Sequence, residues 1–286
     1  MASEHALRIL YAALMSLSSA SSICGNMLLL LVLFLNKDLR SDTLGFVVSF
    51  SLSDLALGLS ALPIGAYTIL SEPTGYTSDG VFCQGSGFLF LLLLTSSVHS
   101  LTWASINRFT QICFALSYPR IWTTGRSRAV LLSLWFFCLL IATLPLVGWG
   151  SYTYDQARFL CCPSFTPENR NYLLLWLLLG IMVPILTTCS LYGYVVYVAR
   201  KQARRGTFVC NELHCFYVPA NMYLRSSVVM VVTSLCLLVC WIPFVSMCLY
   251  ETFTGQHSLS AFSAFSVWLV LTGSALNPWI TCLTQT

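Results

Sequence analysis

Asp54 is the one acidic side chain set deep within a long apolar run of this chain. A charge at mid-bilayer costs about 2.5–3.5 kcal/mol on insertion scales, so such groups face a bundle interior or a wet cavity. Asn26, Ser97, Ser274 and Asn277 stand at similar depth in three other runs. Their oxygens and the carboxylate form a candidate pocket for a cation, sodium first, or for a proton on Asp54. Other costly residues point to mechanics. Asn107-Arg108-Phe109 closes the third run, while Cys240-Trp241-Ile242-Pro243 and Asn277-Pro278 interrupt the sixth and seventh. Proline within a helix frees a carbonyl and kinks the helix. A kink beside Trp241 makes a segment that can swing, carrying a small change at one face into a larger one at the other. Ser97 and His99, two residues apart, point to different helix faces and make no nucleophile–base pair. The chain is therefore not expected to be an enzyme.

The elements that must hold these residues follow from composition. The 286 residues are 57% hydrophobic and 8% charged, and the mean hydropathy is +0.78. A soluble domain carries about 25% charged residues. Seven apolar runs, at 9–35, 44–70, 81–114, 129–149, 172–199, 219–250 and 259–283, each reach the length needed to cross a bilayer as helix. The expected fold is an all-α membrane protein, a seven-transmembrane helix bundle forming one domain over 1–286. Eleven of the 14 basic residues, among them Lys37, Arg120, Arg126, Arg200 and Lys201, fall on one side of the runs. Arg8, Arg158 and Arg170 fall on the other, with Glu72, Asp79, Asp155, Glu168 and Glu251 in the opposing loops. The basic side is cytoplasmic by the positive-inside rule, so the N-terminus is extracellular. The net charge of +4 thus reflects topology and implies no nucleic-acid partner.

Of the 13 cysteines, Cys83, Cys161 and Cys162 face the oxidising side. A bridge from Cys83 to one of the other two is expected there, with the choice between them open. Cys210, Cys215 and His214 lie in a cytoplasmic loop and form only a weak candidate zinc group.

In this order, these residues resemble the rhodopsin-like (class A) G-protein-coupled receptors over essentially the whole chain. Gly25-Asn26 is similar to the first-helix asparagine motif and Leu52-Ser53-Asp54-Leu55 to the second-helix aspartate motif. Cys83 lies 25 residues before Arg108, as the family's disulfide cysteine does before its arginine. Trp135 resembles the fourth-helix tryptophan, and Pro184 with Tyr192 the fifth-helix pair. Trp241 and Pro243 match the sixth-helix motif, and Asn277 and Pro278 the seventh. The resemblance implies a multi-pass plasma-membrane receptor whose sixth helix swings outward to admit a heterotrimeric G protein. Arg108, flanked by Asn107 and Phe109, would contact that protein, with Tyr192 supporting it in the active state. It also implies sodium at Asp54, Ser97, Ser274 and Asn277, no covalent cofactor, and a disulfide from Cys83 to Cys162 or Cys161.

Departures carry as much meaning. The acid usual before the arginine is Asn107, the acid low on the sixth helix is Tyr223, and the seventh-helix tyrosine is Thr281. With both inactive-state restraints weakened, high basal (constitutive) activity is expected. The chain ends at Thr286, after the seventh run. An eighth helix and tail are then expected to be absent, with arrestin regulation reduced. Phe90 stands where aminergic receptors place an aspartate and Leu271 where opsins place lysine. An orphan-type receptor, neither aminergic nor retinal-binding, is expected. Its matching pocket residues are Phe90, Leu91, Leu94, Phe244, Val245, Cys248 and Val267, with Trp241 as floor and Thr95 and Ser263 mildly polar. That lining suits a lipid or neutral small molecule, or a pocket collapsed on its own side chains that signals without ligand. The alternative is a non-signalling seven-helix homologue acting as a partner or trafficking subunit. A transporter would need a path of intramembrane charges or inverted repeats, and Asp54 alone makes no path.

Overall fold

The computed structural model describes residues 2–36, 44–71, 80–203, 207–211, 214–218 and 220–285, with side chains over 6–36, 44–70, 80–201 and 230–279. Seven helical segments in it are long and apolar enough to cross a membrane: Ala6–Leu35, Leu44–Leu70, Val81–Cys113, Thr124–Val147, Pro167–Lys201, Met230–Thr254 and Ser260–Trp279. Helix is the only open-chain solution there, because hydrocarbon offers no partner to an unpaired backbone N–H or C=O. The spans are built from α1 (Ala2–Leu35), α2 (Leu44–Leu59), α3 (Ala61–Ser71), α4 (Val81–Cys113), α6 (Thr124–Thr143), α7 (Arg170–Leu175), α8 (Val183–Ala203), α9 (Ala220–Thr254) and α10 (Ser260–Gln285), with α5 (Tyr118–Ile121) a short turn between two of them.

Proline marks where these helices depart from regularity. The second span breaks between α2 and α3, just before Pro63. Pro243 and Pro278 sit inside α9 and α10. A π-helical turn, Trp176–Met182, separates α7 from α8. It ends just before Pro184, which has no N–H to close the α ladder onto Gly180. Glu251, read from sequence as a loop residue, lies within α9, which runs on to Thr254.

α4 is the central post. It packs against α2, α6 and α8, while α9 lies between α8 and α10, and α1 closes against α2, α3 and α10. Apolar burial gives little drive between helices in lipid, so small residues and hydrogen bonds fasten the contacts. Ser49 bonds Ser100 at 2.8 Å and accepts from the Trp135 indole at 3.0 Å, and Ser53 bonds Ser96 at 2.7 Å.

On the outer side, β1 (Tyr152–Asp155) and β2 (Leu160–Pro163) pair antiparallel as a hairpin roofing the bundle. Its approach to α4 needs Gly87, where an added Cβ would sit 2.7 Å from the Tyr152 ring. A second hairpin, β3 (Thr207–Asn211) with β4 (His214–Val218), lies in the cytoplasmic connection. The sequence reading had seen only a loop there. The side chains of Cys210, His214, Cys215, Tyr223 and Thr281 lie outside the described residues, as do Lys37, Glu72 and Asp79 altogether.

Candidate functional site

Beneath Trp241 is a cavity of about 30 Å³ lined by Asp54, Ser97, Ser274 and Asn277, the four residues picked out as a cation pocket, from three helices. The volume is about that of one water in the liquid. Ser97 donates to one carboxylate oxygen of Asp54 at 2.6 Å and the Asn277 amide to the other at 2.7 Å. Asp54 is 1% exposed. Asn26 stands beside this group, its amide donating to the Ser274 carbonyl at 3.1 Å while its own Oδ1 has no protein partner. These are hard oxygens of the kind that suit a small hard cation rather than a soft metal.

Toward the outer face, the residues expected to line a ligand pocket are packed on one another. Phe90, Leu91, Leu94, Trp241, Phe244, Cys248 and Val267 belong to one buried cluster, with Val245 half-buried against it. Trp176 fills the centre of this region. It is fully buried and donates its indole N–H to Thr95 Oγ1 at 3.0 Å. Its ring stands edge-on to Phe244 at 6.3 Å, and Phe244 in turn meets Trp241 at 6.0 Å and Phe165, from the loop above, at 6.3 Å. Gly180 makes this possible, since a Cβ there would lie 2.7 Å from the Trp176 ring. Ser263 does not join the pocket group, because its hydroxyl bonds Ser258 at 2.5 Å nearer the outer end.

Above the tryptophan lies a charge cluster that sequence reasoning missed. Arg158, at the turn of the hairpin, is 2% exposed and forms ion pairs with Asp155 and with Glu251 of α9. Its guanidinium also lies 4.7 Å from the centre of the Phe165 ring. Burial alone would lower the Arg158 pKa; the charges of Asp155 and Glu251 oppose it and hold the group above its ordinary value. Glu251 is further bonded by the backbone N–H of Ser258 at 3.0 Å and its hydroxyl at 2.8 Å. The sequence alone places both residues among the charges of the outer loops. Their only sequence signal was opposite sign on the same side of the membrane.

The disulfide joins Cys83 to Cys161, with Cα atoms 5.4 Å apart. Cys162, the partner named first from sequence, is a free buried thiol. Adjacent residues of a strand point to opposite faces. Cys161 meets α4, and Cys162 turns toward Arg158, 3.9 Å from its Nη1. Burial pushes the Cys162 thiol up to about 12, which keeps it neutral.

At the cytoplasmic end Asn107 accepts a hydrogen bond from Tyr118 of α5 at 2.8 Å. The Tyr192 hydroxyl accepts one from Ser105, also at 2.8 Å. Tyr192, Val195, Val196 and Met230 form a small cluster with Phe109 and Cys113 packed on it. Arg108 is half-buried beside that cluster.

A family model described as 7 transmembrane receptor (rhodopsin family) matches residues 25–280. The chain belongs to that family. The receptor is similar to the histamine H2 receptor of Canis lupus familiaris, 28% identical over 260 residues, covering 90% of this chain and 71% of the relative. It is 29% identical to the melatonin receptor type 1B-B of Danio rerio over 234 residues, 81% of this chain and 64% of that one. It is 25% identical to the adenosine receptor A3 of Ovis aries over 239 residues, 82% and 73% of the two chains. It is therefore a multi-pass plasma-membrane receptor of class A and not an enzyme.

In this receptor the seven-motif pattern converges on two levels of one bundle. Asp54, Ser97, Trp241, Ser274 and Asn277 share the inner cavity. Of the ten expected pocket residues, Thr95 and Phe244 contact Trp176, Trp241 meets it through Phe244, and Leu94 and Trp241 also line the inner cavity. Trp176 was legible only as one more apolar residue of the fifth run.

Proposed function

We propose that this receptor couples to a heterotrimeric G protein and signals without an agonist, its ligand site being filled by its own side chains. The single observation that carries this reading is Trp176, buried and bonded to Thr95 at 3.0 Å where a ligand would lie. Its ring bears on Phe244, which bears on Trp241, so the tryptophan does from within what an agonist does from outside. The neutral Asn107 supports the same reading. An amide there carries no charge to form the ion pair that a carboxylate would, and a charge-assisted bond is worth about 1.5–3 kcal/mol. Losing it shifts a two-state population by more than about tenfold. Arg108 then acts as the G-protein contact, with Phe109 and Tyr192 as its support. Pro243 and Pro278 act as pivots, and Thr281 takes the place of the seventh-helix tyrosine. Sodium at Asp54, Ser97, Ser274 and Asn277 favours the inactive form.

A protonated amine is a poor fit. Phe90 offers it no carboxylate, and Asp155 and Glu251 on the outer side are both engaged by Arg158. The natural occupant, if one displaces Trp176, is a lipid or neutral molecule.

The test is a panel of second-messenger assays in cells without agonist, comparing the wild type with Arg108→Ala at matched surface expression. A basal signal lost in the variant is expected. Wild-type output equal to that of mock-transfected cells would refute the proposal and favour a non-signalling partner role.

A further inference from the structure

A second cavity lies away from the bundle centre. It is a groove of about 750 Å³ between the outer turns of α1 and α10, roofed by the β1–β2 hairpin. Small-molecule sites span about 300–1,000 Å³. Leu7, Leu10 and Phe265 frame its mouth and are 63%, 56% and 48% exposed. All three belong to membrane-crossing segments, at the ends nearest the outer face. What covers this mouth is therefore the outer leaflet, not water. The hollow itself comes from Ala261 and Ala264, whose methyl groups leave open what larger side chains on α10 would fill.

Three donors of the inner wall are already used. Tyr11 donates its hydroxyl to the Ala264 carbonyl at 2.8 Å, Trp268 its indole N–H to Ser18 at 3.1 Å, and Thr68 its hydroxyl to the Phe159 carbonyl at 2.6 Å. This part of the wall presents ring faces and methyl groups, while Tyr154, Gln156 and Ser260 add polar groups to the lining near the outer end. Phe159 is the one non-glycine residue of positive φ among those described, at +57°, and its ring lies 5.9 Å from that of Tyr11. A bulky residue in that conformation persists only where its surroundings hold it, and such residues cluster at ligand clamps and active sites. Arg8, exposed on the outermost turns of α1, supplies a positive charge at head-group depth on the rim.

We infer that the groove is a binding site for a single-chain lipid with an anionic phosphate head, drawn from the outer leaflet. The head meets Arg8 and the upper chain lies along Tyr11, Ala264 and Trp268. From Leu7 to Leu14 the groove follows about 10 Å of helix, a third of a hydrocarbon core of about 30 Å. The rest of the chain leaves through the mouth into the bilayer. The site is separate from the plugged region around Trp176, and its test reads binding rather than signalling.

The experiment uses the receptor in phosphatidylcholine nanodiscs and lysophosphatidic acid carrying a photoreactive diazirine on its chain. After irradiation, adducts are mapped by mass spectrometry. They are expected to concentrate in residues 6–14 and 260–268, and to be competed by unlabelled lysophosphatidic acid but not by lysophosphatidylcholine. Arg8→Gln should lower labelling about fivefold, the factor one cationic contact near a membrane surface supplies. Ala264→Trp should abolish it. Ala261→Trp fills the same groove from an exposed position and keeps the test decisive should the first variant misfold. Adducts spread evenly over the lipid-facing sides of the bundle would overturn the inference. So would equal competition by the choline lipid, or unchanged labelling in a folded, groove-filled variant.

Discussion

Replacing Glu251 with alanine removes one of the two carboxylates that pair with Arg158 and cuts the tie between the outer hairpin and α9. An exposed ion pair would be worth about 0–1 kcal/mol. This one is not exposed, since the side chains of Arg158 and Glu251 are each 3% accessible. Breaking a buried pair by removing one partner costs about 3–5 kcal/mol, because the remaining charge stays buried. Asp155 still faces Arg158 in the variant, so the lower end, about 3 kcal/mol, is expected. At about 2–4 °C per kcal/mol for chains of comparable size, the unfolding midpoint should fall by roughly 6–12 °C, read by tryptophan fluorescence during heating in nanodiscs. Exchanging both members for apolar side chains, Arg158→Met with Glu251→Leu, removes both charges of the tie to α9, leaves Asp155 at 13% accessibility in partial contact with water, and should recover part of the loss. The coupling between the two sites is then the difference between the double change and the sum of the single ones. A Glu251→Ala midpoint within about 2 °C of wild type would refute the reasoning, as would a double variant that loses the full sum.

Trp176→Ala should cost about 3–5 kcal/mol as a buried aromatic truncation and lower the basal signal. Indole added at about 100 times its Kd should restore about 2.7 kcal/mol, and an unfolding midpoint unmoved by indole would count against Trp176 as occupant of a ligand site. Exchanging choline chloride for sodium chloride at equal ionic strength should raise the thermal stability of the wild type, and Asp54→Asn should abolish that rise. A sodium response surviving in that variant would remove Asp54 from the cation site.

Much of the fold was legible because the bilayer imposes one-dimensional rules. A run of about 20 apolar residues reads as a span whatever it packs against. Asp54, Ser97 and Asn277 could be grouped from depth alone, since a carboxylate that cannot face lipid must turn inward and find donors. The same reasoning could not choose between Cys161 and Cys162. That choice depends on which face of a four-residue strand meets α4, and one step along a strand reverses the face. Nor could depth show that Trp176 is buried against Thr95 and Phe244. The π turn at Trp176–Met182 rotates the tryptophan inward over Gly180, and turn type is set by neighbours as well as by Pro184.

By itself the chain determined seven crossings, their orientation, the inward-facing polar residues and the family they resemble, because each follows from transferring side chains between water and hydrocarbon. Only the tertiary structure decided that Arg158 reaches Glu251, that Trp176 lies against Thr95 and Phe244, and that α1 and α10 leave a groove between their outer turns. Those are contacts between residues far apart in sequence. Their energies depend on distance and angle in three dimensions, and a hydropathy pattern along the chain carries neither.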